Sequence, residues 1–320
     1  MADFDFLSGD VLRIVVLAGG DSAEREISLQ SGATATEALK SRGHEVVQVD
    51  PASEDLATRD WSDCDVAFIA LHGTYGEDGG VQRLLEELEV PYTGSDSSAS
   101  RLAFSKSAAK ERFLLSGVDT PAYVLIHETD DATSIHQKAN SIGYPLVVKP
   151  DAQGSSLGVT IVRSPEDLPQ ALARCFHYDC FGLMEQAIEG TEWTMGIANG
   201  EPLPLIQIES EREFYDYDAK YVDDETRFLF EFDLESPTIG QIEQLALASF
   251  DSLGVSGIAR ADIRLDRFGK PWILEVNTIP GFTSHSLIPM AAEQQGIELG
   301  EFFERTVRAA LQNSFLRRQN

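Results

Sequence analysis

Within residues 257–286 two runs of apolar and polar residues alternate with period two, and the chain is organised around that stretch. Ala259, Ala261, Ile263 and Leu265 interleave with Arg260, Asp262 and Arg264. Further on, Trp272, Leu274 and Val276 interleave with Ile273, Glu275 and Asn277. Such alternation puts each set on one face of a strand. Residues 266–270 have the composition of a turn, so a hairpin followed by a loop is expected. Paired this way, the strands bring Asp262 near Glu275 and Asn277. Two carboxylates about 4 Å apart repel by roughly 4 kcal/mol at an effective dielectric of 20. A cation relieves that repulsion, and two carboxylates with an amide form an all-oxygen set suited to Mg²⁺. Arg260, on the same face, can hold a phosphate or a developing oxyanion. A solvated polar face is the plainer account of the pattern. The apolar faces of both strands and the E-x-N ending favour the metal.

The same periodicities divide the rest of the chain. Residues 12–20 read as a buried strand ending in a glycine turn. A helix is expected from Asp21 to about Gly43, with Glu24 at capping-box spacing and with Glu24 and Glu26 complementing its dipole. Residues 44–50 and 65–71 are two further strands, so the opening is β-α-β. The polar, glycine-rich loop after the third strand contains His72, at a position where parallel sheets place ligands; a ligand contact and a helix cap are both open for it. A short helix follows over 81–88. One helix over 95–117 carries Lys106 and Lys110. Residues 145–162 form a strand ending at Lys149, a loop with Gly154, Ser155, Ser156 and Gly158, and a second strand. Small residues there let backbone N–H groups approach phosphate oxygens as a flap, with Lys149 adding a cation. Residues 181–194 are a strand ending in Glu185, then a loop, as at an adenine and ribose edge. Residues 209–227, with Tyr215, Tyr217, Lys220 and Tyr221, fit neither helix nor strand and have the character of a lid. Helices over 238–254 and 300–311 flank the hairpin.

Composition narrows the function classes. At 320 residues, the chain suggests two or three domains. Apolar residues make up 42%, ample for burial, yet no run reaches the length of a membrane span. The acidic opening, residues 1–10, has no basic region followed by a long apolar run, so no secretory signal is expected. Cys64, Cys175 and Cys180 have no metal spacing and read as free thiols of a cytoplasmic enzyme. The net charge of −28 argues against nucleic acid as a partner. Neither G-x-G-x-x-G nor G-x-x-x-x-G-K-[ST] is present.

Taken together, GGDSAEREISL, ALHGTYGEDG, PYTGS, VVKPDAQGSSLGV, YDYDAKY, ARADIRLD and EVNTIPGFTSHSLIP resemble the D-alanine–D-alanine ligases of the ATP-grasp superfamily. The motifs follow the family's order along nearly the whole chain, which is far more specific than any one of them. The resemblance implies an α/β fold: an N-terminal parallel α/β (pre-ATP-grasp) domain over 1–94, then a two-part α+β ATP-grasp fold, split into 95–189 with the flap and 190–320 with lid and metal site. ATP would lie between these two parts. It would phosphorylate the carboxylate of one D-alanine, and the amine of a second would attack the acyl phosphate. Water exclusion by a lid suits that chemistry, since acyl phosphates hydrolyse readily.

By the same resemblance, Glu24 holds the first substrate's ammonium, with Ser155 and Tyr221 as its partners. Lys106, Lys149, Ser156 and the lid lysine Lys220 serve ATP, as do Glu185, Gln186, Ile188 and Glu192 on its adenine and ribose side. Arg260 and the Gly281 N–H stabilise the tetrahedral intermediate. Asp262, Glu275 and Asn277 match ligands of two magnesium ions, with manganese as a substitute. Ser286 and Leu287 match the second-substrate pocket, and His72 lines the first. A homodimer is also implied. Gln186 departs from the lysine of many relatives and brings no charge, so weaker ATP binding is expected; Arg83, Gln153, Glu231 and Phe232 depart too. Tyr221 stands where D-lactate-using relatives have histidine, which favours an amine as second substrate. D-Serine is harder to exclude, since one hydroxyl discriminates weakly. A non-catalytic nucleotide-binding relative is the alternative from another class.

The acidity itself generates an expectation. With 53 acidic side chains against 25 Lys and Arg, the surface repels itself at low salt. If it is adapted to a salty cytoplasm, activity and melting temperature should both rise between low and molar salt. Values unchanged across that range would refute the adaptation.

Overall fold

The computed structural model describes residues 9–209, 226–283 and 286–319. The chain opens with β1 (Arg13–Leu17), α1 (Arg25–Ser41), β2 (Glu45–Val49), β3 (Val66–Ile69) and α2 (Gly80–Glu87). These strands form a parallel sheet in the order β2-β1-β3. All four β3 residues are buried, the continuous apolar run that a strand covered on both faces requires. Beyond β1 the chain turns at Gly19, where φ is 97° and a Cβ would lie 2.6 Å from Asp50 Oδ1. That close approach lets Asp50 accept from Gly20 N at 2.9 Å and pair with Arg25 at 2.6 Å.

The start of α1 corrects the sequence expectation. The helix begins at Arg25, not Asp21, and the side chain of its N-cap residue, Glu24, makes no capping hydrogen bond. Instead Ser22 Oγ accepts from Glu24 N at 3.2 Å and donates to His72 O at 2.7 Å. The turn is tied to the neighbouring loop, and the Glu24 carboxylate is left to face elsewhere.

The expected single helix over 95–117 is two: α3 (Ser97–Phe104) and α4 (Lys106–Leu115). Ser105 between them is extended, with ψ of 108°, and caps α4. Asp151 holds the break. Its carboxylate accepts from Ser105 Oγ and from Ser107 N, each at 2.7 Å, and its carbonyl accepts from Lys106 N at 3.0 Å. The helix start is thus fixed to the root of the glycine-serine loop.

Next come β4 (Tyr123–His127), α5 (Ala132–Ile142), β5 (Leu146–Pro150), β6 (Thr160–Val162), α6 (Leu168–Cys175) and β7 (Phe181–Gln186). They build an antiparallel sheet, β4-β7-β5-β6, with α5 and α6 closing its core around Leu146, Val148, Ala171 and Met184. A third sheet follows from β8 (Gly190–Ala198), β9 (Glu201–Pro202), β10 (Ile206–Glu209), β11 (Arg227–Leu229), β12 (Ile258–Asp266) and β13 (Pro271–Asn277). Its order is β11-β10-β8-β12-β13, with β9 beside β8. Helix α7 (Ser236–Leu253) belongs to the same apolar core as β12 and β13, with Phe250, Ala261, Ile263 and Val276 among its residues. A parallel α/β unit followed by two antiparallel sheets is the α/β and α+β sequence expected.

The chain ends with α8 (Leu287–Gln294) and α9 (Leu299–Gln319). These return to the first sheet. Phe68 of β3 meets Phe282 and Phe303 edge-on, with ring centroids 5.4 and 5.1 Å away. Among the described residues no helix is long and apolar enough to cross a membrane, and the three cysteines are free.

The β12–β13 hairpin forms as expected, with Asp262 opposite Glu275 and Arg260 opposite Asn277. The facing of β13 does not. Its register shifts beyond Asp262, so that Ile263 pairs with Ile273 and Leu274 is the inserted residue. Ile273 and Val276 are therefore buried, while Trp272 and Leu274 share the other face.

Asp50 yields a stability test. Arg25 holds its carboxyl down to about 2. By linkage such a drop stabilises the fold by roughly 2 kcal/mol, discounted toward about 1 because Arg25 is 37% exposed. A depressed carboxylate contributes above its unfolded value near 4 and loses that contribution as pH falls toward 2. Asp50→Asn should therefore cost about 1 kcal/mol in urea unfolding at pH 7. The gap from wild type should close between pH 4 and 2.

Candidate active site

Two adjoining cavities lie where the three sheets converge. The first runs between the β5–β7 sheet and the β12–β13 hairpin. Val147, Lys149, Ser156, Glu185, Gln186, Ile188, Glu192, Asp262, Leu274 and Glu275 line it. Its lining combines apolar side chains, Val147, Ile161 and Leu274 among them, with charged ones, a mixture suited to a flat base with a polyanionic tail. The second cavity gathers Glu24 and His72 from the first unit, Gly154 and Ser155 from the loop, and Arg260, Asn277 and Gly281 from the hairpin side. Lys106, Gln153 and Glu275 line both cavities. A group held in one is thereby presented to the other.

The loop over 151–159 lies between the cavities. Ser155 and Ser156 both have positive φ, 50° and 57°, an uncommon state for residues with a Cβ and one that clusters at functional sites. The turn delivers Ser155 Oγ to Glu24 Oε1, joining the loop to the N-terminal unit. Lys106 Nζ donates to Gln153 O at 2.6 Å and lies 3.1 Å from Glu275. Burial opposes the charge of Lys106, but Glu275 outweighs it and holds the ammonium above its ordinary value.

Beneath the first cavity Glu185 is almost fully buried. Lys149 Nζ donates to its Oε1 at 3.0 Å, and Lys110 Nζ lies 2.6 Å from its Oε2. Burial works against the carboxylate, but Lys110 and then Lys149 outweigh it and hold Glu185 below the usual range. At the far end Arg264 donates to Gly190 O at 3.1 Å and stands 3.9 Å from Glu192.

In the second cavity His72 is buried. Its Nε2 is 3.0 Å from Ser31 Oγ and its Nδ1 3.4 Å from Glu77. Ser31 Oγ also accepts from Phe282 N at 3.2 Å, so the histidine is braced against the loop carrying Gly281. Of the two roles left open for His72, the structure supports cavity lining. Ser286 Oγ accepts from Thr283 N at 3.1 Å, next to Gly281. The Leu287 side chain is instead part of the apolar core around the first sheet. Lys220 and Tyr221 lie outside the described residues, as does most of the stretch read as a lid.

Charge repulsion at the hairpin is relieved by side chains. Arg260 forks onto both Asp262 oxygens at 2.7 Å, Thr194 donates to Asp262 at 2.9 Å, and Lys106 faces Glu275. The donor types nonetheless fit a hard divalent cation. Asp262 and Glu275 pair in register, and the Asn277 amide oxygen, which accepts from Ile279 N at 2.8 Å, keeps a second lone pair. Among the described residues no group of three or more His, Cys, Asp and Glu side chains gathers as a metal cluster.

Sequence reasoning gave no site role to several groups found here. Glu77, Leu274 and Arg264 line the cavities, and Lys110 lies behind them. Lys106 and Lys110 are one helical turn apart and so share a face, which was the available signal for Lys110. Nothing in the local pattern marks the inserted Leu274.

With this geometry in place, comparison with known proteins is decisive. The family model described as D-ala D-ala ligase C-terminus matches residues 114–308, and that of the N-terminus matches residues 50–95. The D-alanine–D-alanine ligase of Pelotomaculum thermopropionicum is 42% identical over 96% of this chain and 99% of its own. That of Pseudomonas putida strain GB-1 is 41% identical over 94% and 93%. The crystal structure of the Bacillus anthracis D-alanine–D-alanine ligase superposes with a TM-score of 0.86 at 33% identity, covering 96% of this chain and all of that one. The same ligase complexed with ATP gives 0.83 at 30% identity, with the same coverage. The chain belongs to the D-alanine–D-alanine ligase family.

Proposed function

We propose that the protein joins two D-alanines into D-alanyl-D-alanine at the expense of ATP. The product would serve peptidoglycan precursor synthesis. The reaction would pass through D-alanyl phosphate and release ADP and phosphate. One observation carries the proposal: the second cavity collects the Glu24 carboxylate, the Arg260 guanidinium and Gly281, and it shares Lys106 and Glu275 with the first.

In this reading the first cavity takes ATP. Its adenine lies between Val147, Ile161 and Leu274, near Gln186 and Ile188, with Glu192 at the ribose. Lys106, Lys149 and the Ser156 backbone meet the phosphates. Glu24, supported by Ser155, holds the first D-alanine by its ammonium. Arg260 and the Gly281 N–H receive the negative charge that develops when the second D-alanine attacks. Ser286 borders the second substrate. Asp262, Glu275 and Asn277 would hold magnesium, or manganese, which when bound neutralises charge on the transferring phosphoryl group. Arg260 and Lys106 would then exchange part of their pairing with those carboxylates for substrate oxygens. Closure by Tyr221 and Lys220, a homodimeric assembly, a cytoplasmic location and the division at 94 and 189 rest on the family resemblance. D-Serine or D-lactate as second substrate is the competing reading, separated by product mass.

Phosphate release from Mg-ATP should depend on D-alanine and yield the dipeptide; ATP binding without such release would refute the ligase. Gly154 offers a sharper test. A Cβ there would lie 2.7 Å from Glu24 Oε2. Gly154→Ala should displace Glu24 and raise the KM for D-alanine roughly tenfold or more. The KM for ATP should stay within about twofold. An unchanged D-alanine KM would remove Glu24 from the substrate site.

A further inference from the structure

Lys110 touches neither cavity and is completely buried, yet it joins both walls of the first one. Its Nζ lies 2.6 Å from Glu185 Oε2 on β7. It also donates to Thr120 Oγ1 at 2.6 Å. Thr120 Oγ1 in turn donates to Ile273 O of β13 at 2.8 Å, and Ile273 N donates to Asp119 O at 2.9 Å. The ammonium thus links the central sheet to the hairpin through one hydroxyl. The Tyr123 ring of β4 lies 5.5 Å away. Burying an ammonium this deeply is costly unless it is paired and hydrogen-bonded.

Glu185 is one carboxylate between two ammonium groups. Lys110 takes Oε2, while Lys149 stands 3.0 Å from each oxygen. A single negative charge cannot neutralise both. Lys149 is on the cavity wall and Lys110 is behind it. We propose that Lys110 is a positioning residue for nucleotide binding: it neutralises Glu185 from behind, so that the charge of Lys149 remains available to ATP phosphates. Without Lys110, Glu185 would claim Lys149 entirely, and the phosphates would lose a cation although every group touching them remained. The inference rests on ATP occupying the first cavity.

Burial, partly offset by Glu185 and reinforced by Lys149, pulls Lys110 down to about 8. Glu275 is the other acid acting on it, at longer range, and Tyr123 stays protonated because burial raises its pKa. Nucleotide affinity should therefore fall as pH rises through 8. An arginine at this position stays charged and would remove that fall.

The test compares Lys110→Met, Lys110→Arg and Glu192→Gln with wild type, by KM for ATP and for D-alanine and by binding of a non-hydrolysable ATP analogue at pH 7 and 9.5. Lys110→Met should raise the ATP KM about tenfold. The D-alanine KM should stay within about twofold, and Lys110→Arg should recover most of the loss with a flatter pH dependence. An unchanged ATP KM in folded Lys110→Met overturns the inference. So does an equal loss toward both substrates that arginine does not rescue. If Lys110→Met does not fold, Thr120→Val loosens the ammonium without removing it; a several-fold rise in ATP KM supports the role and none overturns it. Glu192→Gln should weaken analogue binding in every case. Unaltered binding there would overturn the placement of ATP and the role of Lys110 with it.

Discussion

The register of β12 against β13 sets Asp262 opposite Glu275, and an inserted residue, Leu274, follows at once. The site depends on both features. Regular pairing would turn Ile273 toward the cleft and carry Leu274 and the bulky Trp272 to the core face, crowding the packing around α7. With the bulge, the strand buries Ile273 and Val276 and still presents Leu274 and Glu275 to the cleft. Two acids fixed this close must have counter-charges. Arg260 and Lys106 supply them, and each also borders the second cavity.

A protein with a net charge of −28 has few cations to spend, and five of them, Lys106, Lys110, Lys149, Arg260 and Arg264, are concentrated here. Each is near a named acid, so the region is not a simple basic patch. It is a set of ion pairs that can exchange partners. A phosphate entering such a set competes with carboxylates already in place, which favours a multiply charged anion over a single one. The glycine-serine loop adds backbone donors, and its contact with Glu24 joins units far apart in sequence.

Much of this was legible in the sequence, because alternation and ordered motifs report local structure. The parallel opening, the hairpin, the loop after Lys149 and the acids at 262 and 275 follow from them. What was not legible depends on partners distant in the chain. The spacing from Asp21 to Glu24 suggests a capping box, but the hydroxyl of Ser22 is committed to His72 fifty residues away. Residues 95–117 look like one helix because no Gly or Pro interrupts the first twenty of them; the break at Ser105 is imposed by Asp151. Lys110 looks like a surface lysine until Glu185 and Thr120 are seen around it. In each case local propensity was overruled by one distant polar partner.

The meeting of Phe68 with Phe282 and Phe303 bears on synthesis as well as packing. A ribosome delivers the first sheet some two hundred residues before the aromatic rings that complete its core. Through that interval one face of β3 must stay solvated, be shielded by chaperones or lean on temporary partners, whereas the two antiparallel sheets can close from sequence already emerged. The N-terminal unit, translated first, would thus be among the last to reach its final packing.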